Sequence, residues 1–104
     1  TLYGGPGDDF LVGGLGNDTL YGGEGIDGAG YEDASGAVVV DLGAGTASGG
    51  DGNDQLSSIE IVHGSGFDDT LTGSDASETL YGAAGNDTFS GGAGDDFIDG
   101  GPGT

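Results

Sequence analysis

Asp9, Asp18, Asp27, Asp54, Asp69, Asp87 and Asp96 each stand five residues after a glycine, and Glu78 does the same behind Gly73. Between glycine and acid lie more glycines, so the recurring phrase is Gly-Gly-x-Gly-x-Asp-x-apolar-x. "GGPGDDFLV" from Gly4, "GGLGNDTLY" from Gly13, "GGDGNDQLS" from Gly49 and "GGAGDDFID" from Gly91 match it in full. A carboxylate delivered at a fixed interval behind a pliable backbone is the chemistry of a hard, multivalent cation. Calcium takes six to eight oxygen ligands, and main-chain carbonyls serve it as well as carboxylates. Glycine at places one, two and four lets the chain turn carbonyls towards an ion in conformations that cost other residues more.

Composition points the same way. The 104 residues carry nineteen acidic side chains, no Lys or Arg and one histidine, for a formal charge of −19. Binding to nucleic acid or to an anionic membrane surface is therefore electrostatically unreasonable. No apolar run approaches the roughly 18 residues of a membrane span. Without cysteine there are no disulfides and no thiolate metal sites. Twenty-eight glycines and few large apolar residues should keep such a chain unfolded in plain water. Stacked carboxylates would also repel one another, and a cation between turns reverses that sign. A charge run usually means a solvated face; here the acids recur in one slot, which argues for ligands. Glu32, Glu60, Asp75 and Asp99 lie outside the slot and read as solvated.

The eighth place of each unit is apolar: Leu2, Leu11, Leu20, Leu56, Leu71, Leu80, Phe89 and Ile98. Its neighbours are mainly Thr, Phe, Tyr, Val and Ser, which favour a pleated strand. Each unit thus reads as a six-residue turn and a three-residue strand with its middle side chain inward. Two units make a coil of 18 residues, and coils stacked about 4.8 Å apart make a parallel two-sheet sandwich with a thin core. No helix is expected. Departures are "GGEGIDGAG" from Gly22, "GSGFDDTLT" from Gly64, "GSDASETLY" from Gly73 and "GAAGNDTFS" from Gly82. The stretch 31–48 breaks the motif but has the length of one coil. It is expected to supply a strand at 37–42 and its return at 46–48. Ser58–His63 adds six residues and is expected to lengthen one strand. The chain then reads as one module, with a first repeat block at 1–30, variant coils at 31–63 and a second block at 64–104. Both ends break off inside a repeat, as in a segment of a longer protein.

"GGPGDDFLV", "GGLGNDTLY" and "GGAGDDFID" resemble the nonapeptides of RTX (repeats-in-toxin) proteins. The resemblance spans nearly the whole chain and implies an all-β fold, a right-handed parallel β-roll with two nonapeptides per coil. It also implies several calcium ions, each between a turn and the turn one coil later. Carbonyls at places two and four with the acid come from the first turn; carbonyls at one and three with the acid come from the second. Carried over, Gly5, Gly7 and Asp9 join Gly22, Glu24 and Asp27. Ser65, Phe67 and Asp69 join Gly82, Ala84 and Asp87; Ser74, Ala76 and Glu78 join Gly91, Ala93 and Asp96. Gly14, Gly16 and Asp18 should stack on 31–36, where the site uses Asp33 or stays incomplete. Asp54 is assigned to a site with the Gly73 turn, and Gly50 and Gly52 of its own turn are candidate ligands. The last turn, at 100–103, lacks its acid.

Other motifs carry little. "GEGIDG" at Gly23–Gly28 formally matches a dinucleotide-binding phrase, but at this glycine density it is expected by chance and no helix follows. "DGND" at Asp51–Asp54 lacks the rest of an EF-hand loop. There is no nucleophile elbow, and His63 reads as a strand-end side chain, so no catalysis by this chain is expected. The resemblance implies a calcium-folded module of a Gram-negative protein exported by type I secretion. It is expected to be a monomer serving neighbouring domains of its parent chain, whether protease, lipase or polysaccharide-modifying enzyme. An adhesive or ice-binding surface is the alternative, though the third-place residues form no ladder of one type.

Overall fold

The computed structural model describes residues 1–14, 16–32, 34–49, 52–94 and 96–100. Among these no residue is helical. Twelve short strands follow in chain order: β1 (Leu2–Tyr3), β2 (Phe10–Leu11), β3 (Thr19–Tyr21), β4 (Gly28–Gly30), β5 (Val38–Asp41), β6 (Thr46–Gly49), β7 (Gly52–Ser57), β8 (Ile61–His63), β9 (Thr70–Thr72), β10 (Thr79–Tyr81), β11 (Thr88–Ser90) and β12 (Phe97–Asp99). They form a seven-stranded sheet, ordered β1-β3-β7-β6-β5-β9-β11, and a five-stranded sheet, ordered β12-β10-β8-β4-β2. Outside the middle of the larger sheet every pairing is parallel, and the partners at the ends of the roll fall one 18-residue coil apart: Leu2 with Leu20, Phe10 with Gly28, Leu80 with Ile98. This is a parallel β-roll.

The core is a single layer between the sheets. Leu20, Leu71, Leu80, Val38, Val40 and Val62 are fully buried, with Leu11, Ala29, Ala47, Leu56 and Ile59 beside them. Five of the eight eighth-place residues belong to this layer. Leu2 and Ile98 sit on edge strands, where no further coil covers them, and stay 36% and 42% exposed. Phe89, on the edge strand β11, packs against the core only in part.

The stretch 31–48 does not make a coil. β5 pairs antiparallel with β6, and β6 pairs antiparallel with β7, so these three strands form a meander inside the seven-stranded sheet. The cause is local. Val38 and Val40 face inward and Val39 outward, an alternation that suits a hairpin strand. The return is tight: Gly45 N–H donates to the Asp41 carbonyl at 2.8 Å and Ala44 N–H to Asp41 Oδ1 at 3.1 Å. The two expected strands exist within a residue of their predicted limits, but they lie in one sheet. β7 then stacks on β3, with Leu56 opposite Leu20, and β5 stacks on β9.

Nor does Ser58–His63 lengthen a strand. Ser58–Glu60 is a three-residue corner from β7 to β8, with Ser58 at φ 57°. β8 pairs with β4 on one side and β10 on the other.

Candidate metal centre

The turn at 4–9 shows what each place does. Gly5 and Gly7 adopt φ of +87° and +98°, a region that costs an L-residue about 1–2 kcal/mol. Gly4 is needed for room: a β-carbon there would lie 2.6 Å from the Gly22 carbonyl oxygen and 2.8 Å from Asp9 Oδ2. The acid thus folds back under the first glycine of its own turn. The carbonyl oxygens of Gly5 and Gly7 point at Gly23 and Gly25 of the next coil, so close that neither could carry a side chain.

Successive turns are tied by the acids. Asp9 N–H donates to Asp27 Oδ1 at 2.9 Å, and Asp27 N–H donates to Glu60 Oε1 at 2.9 Å. Glu78 N–H donates to Asp96 Oδ1 at 3.0 Å. On the opposite edge of the roll, Asp18 N–H donates to Asp54 Oδ1 and Asp69 N–H to Asp87 Oδ1, each at 2.8 Å. The result is two columns of carboxylates. One runs through Asp9, Asp27, Glu60, Glu78 and Asp96; the other is cut by the inserted hairpin into Asp18–Asp54 and Asp69–Asp87.

Four oxygens in these columns, Asp9 Oδ2, Asp18 Oδ2, Asp27 Oδ2 and Asp87 Oδ2, are buried without a hydrogen-bond donor. A buried, unpaired carboxylate oxygen costs about 1–3 kcal/mol or more, and this chain has no Lys or Arg to answer it. Burial pushes the Glu60 carboxyl above its ordinary value; the Asp27 amide opposes this, while the negative charges of Asp27 and Glu78 add to it. Burial likewise raises Asp87, against the Asp69 amide and with the charges of Asp69 and Asp68. Among the described residues no three Asp, Glu or His side chains form one metal-binding cluster. An ion here would be held by main-chain oxygens plus a pair of carboxylates. That all-oxygen, carbonyl-rich set suits calcium.

Three of the expected turn pairs are brought together. The pair 4–9 with 22–27 is described above, with Glu24 exposed at its rim. In the pair 64–69 with 82–87, the Phe67 carbonyl oxygen lies 2.6 Å from where a β-carbon on Gly85 would stand. In the pair 73–78 with 91–96, the Ser74 and Ala76 carbonyl oxygens stand at 2.5 and 2.6 Å from the corresponding points on Gly92 and Gly94. Ala84 and Ala93 are exposed in the upper turns of these pairs, and Gly82 and Gly91 open them.

Two assignments are corrected. Asp54 does not join the Gly73 turn, and Asp18 does not stack on 31–36. The meander returns the chain to β3, so Gly52 packs on the Gly16 carbonyl and Asp54 on Asp18. Gly14 adopts φ +80° in that lower turn. Tyr31, buried, donates its hydroxyl to Asp54 Oδ2 at 3.0 Å. Gly50, Asp33 and the turn residues 101–103 lie outside the described residues.

Glu60, read as solvated, is a half-buried member of the first column. Its signal was its distance of one coil from Glu78 and two from Asp96. The fifth place was also missed: Asp8 accepts Ile26 N–H, Asn17 accepts Asn53 N–H and Asp68 accepts Asn86 N–H, at 2.7–2.8 Å. The recurrence of Asp or Asn at that place could have shown it. His63 ends β8 and lies between Phe10 at 5.2 Å and Tyr81 at 4.6 Å, in a row that continues to Phe97.

Stacked glycine turns, two acid columns and a thin shared core define a calcium-binding solenoid module. A model of the RTX calcium-binding nonapeptide repeat, four copies long, matches residues 1–29, 41–58, 57–88 and 72–104. The chain belongs to that family, which is typical of secreted proteins. The unmatched stretch, 30–40, leads into and includes most of β5. No curated protein matches the chain.

Proposed function

We propose that the chain is a non-catalytic module that folds on calcium outside the cell, so supporting type I secretion and stabilising or positioning a neighbouring domain. The observation that carries this reading is the set of four buried carboxylate oxygens without donors in a chain lacking Lys and Arg. The carbonyls of Gly5, Gly7 and Gly22 with the carboxylates of Asp9 and Asp27 would hold one ion. Bound there, calcium supplies the positive charge that the columns lack. The residues themselves do the rest: glycines bring the turns into contact, the acids lock one coil to the next, and the apolar eighth places close the core. Because a site made from two turns does not exist in the unfolded chain, binding and folding are linked. Extracellular modules of this oxygen-ligand class work near 10⁻⁴–10⁻³ M calcium, far above cytosolic levels, so export would precede folding of the glycine turns.

A calcium titration of the metal-free chain, followed by far-ultraviolet circular dichroism with magnesium as control, tests this. A cooperative gain of strand signal with calcium alone is expected. An equally folded chain in chelator would overturn the proposal.

A further inference from the structure

Not every acid in the columns lacks a donor. In four turns whose second place is Gly or Ala, 4–9, 13–18, 22–27 and 82–87, one carboxylate oxygen is buried and unpaired; Asp96, behind Gly92 in the end coil, is not among these. In the turns 64–69 and 73–78 that place is serine, and neither serine adopts the positive φ of the glycines it replaces. Ser65 N–H donates to Asp69 Oδ2 at 2.8 Å and its hydroxyl donates to Asp69 Oδ1 at 2.5 Å. Ser65 Oγ in turn accepts Phe67 N–H at 3.1 Å. The second turn repeats the arrangement: Ser74 N–H donates to Glu78 Oε1 at 3.0 Å, its hydroxyl to Glu78 Oε2, and Ala76 N–H donates to Ser74 Oγ at 3.2 Å. Asp69 Oδ1 also accepts Val38 N–H from the inserted hairpin, at 2.8 Å. Asp54, across the meander, has both oxygens occupied, by Asp18 N–H and the Tyr31 hydroxyl. Ser65, Asp69, Asp54 and Glu78 are all buried.

We propose that Ser65, Ser74 and Tyr31 stand in for a bound cation at Asp69, Glu78 and Asp54. The middle of the roll then holds its fold without calcium and templates the glycine turns around it. The proposal rests on the calcium reading of the glycine turns and adds to it a division of labour. The chemistry is the ordinary one of buried carboxylates: a charged acceptor needs donors, and hydroxyl and amide hydrogens serve where no ion does. These donors come from the chain itself, so they are present before any metal arrives. The middle strands β5, β8, β9 and β10 also carry Val38, Val40, Val62, Leu71 and Leu80, all fully buried. The sequence mark of such a turn is Gly-Ser-x-x-x-Asp/Glu, which occurs twice here, at Gly64 and Gly73.

The test is hydrogen exchange of the full chain read by mass spectrometry, in chelator and in calcium. In chelator, amides of Ile61–His63, Thr70–Thr72 and Thr79–Tyr81 should exchange at least about tenfold more slowly than those of Thr19–Tyr21, and calcium should abolish the contrast. Ser65→Gly with Ser74→Gly, which restores the repeat's own residue, should lower the central protection in chelator by roughly ten- to a hundredfold per serine. Calcium should restore it. Uniformly fast exchange in chelator with full protection in calcium would overturn this proposal and leave the calcium reading intact. Uniform protection in both conditions would overturn both. A double variant that keeps its central protection in chelator, or that stays unfolded in calcium, would show that the hydroxyls do not replace the ion. Tyr31→Phe, which removes one oxygen, should lower protection at Gly52–Ser57 alone; an unchanged pattern would remove Tyr31 from the set.

Discussion

Asp27→Asn changes one oxygen for an NH2 group and separates two roles that a carboxylate combines. Asp27 is fully buried. Its Oδ1 accepts Asp9 N–H, which an amide oxygen can do equally well, while its Oδ2 has no donor. Without calcium the substitution therefore removes a buried unpaired charge, worth about 1–3 kcal/mol, and relieves repulsion from Glu60. With calcium, the same change removes a charged ligand. Even outer-sphere partners of a metal carry ten- to a hundredfold in affinity, about 1.4–2.8 kcal/mol, and a direct ligand should exceed that. The sign of the effect should thus invert with the metal. In chelator, folding driven by trimethylamine N-oxide should need less osmolyte for Asp27→Asn than for the parent chain. In calcium, the circular dichroism midpoint should move to at least tenfold higher concentration. If the variant folds less readily in both conditions by similar amounts, Asp27 is an ordinary structural acceptor and the reasoning fails.

Other consequences can be checked by urea unfolding in calcium. Gly22→Ala puts a β-carbon against the Ser58 carbonyl and Asp27 and should cost at least about 3 kcal/mol, since backbone cannot yield cheaply. Gly5→Ala meets no atom within 4 Å but sits at φ +87°, and should cost only about 1 kcal/mol. Ala83 already occupies φ 63°; Ala83→Gly should stabilise by about 0.5–1 kcal/mol, the relief of that strain less the added freedom of the unfolded chain. Acidity provides a metal-free test in chelator, with the fold held by the same osmolyte. Glu60 and Asp87 are raised in the fold above ordinary values of 4.5 and 3.8, so the folded state binds protons more readily than the unfolded. The metal-free fold should gain stability as pH falls from neutral towards those values, and lose it again as pH rises through the raised ones. A loss of strand signal on mild acidification would refute the assignment.

The nine-residue period was legible because each place makes a distinct physical demand, with room needed at the first, left-handed backbone at the second and fourth, charge at the sixth and burial at the eighth. The stretch 31–48 was misread because its count of 18 was taken for a coil. The alternation of Val38, Val39 and Val40 before the Asp41–Gly45 return was the better signal, since side-chain alternation reports pairing and length alone does not. Glu60 escaped because its corner lacks the glycines that mark a turn, although its register with Glu78 was intact. Ser65 and Ser74 looked like worn copies of glycine. Their hydroxyls become visible only once the acid is known to fold back under its own turn, a contact between residues four apart that no period discloses.

The two sheets share one core but differ by two strands, and at about 4.8 Å per strand one face is longer by roughly 10 Å. That excess is comparable to the spacing of roughly 10 Å between packed sheets. The smaller sheet has no strand to set against the two extra ones, and the core draws instead on residues outside any strand, Tyr31, Ala34 and Ile59. The inserted hairpin thus lengthens one sheet without adding a coil to the other.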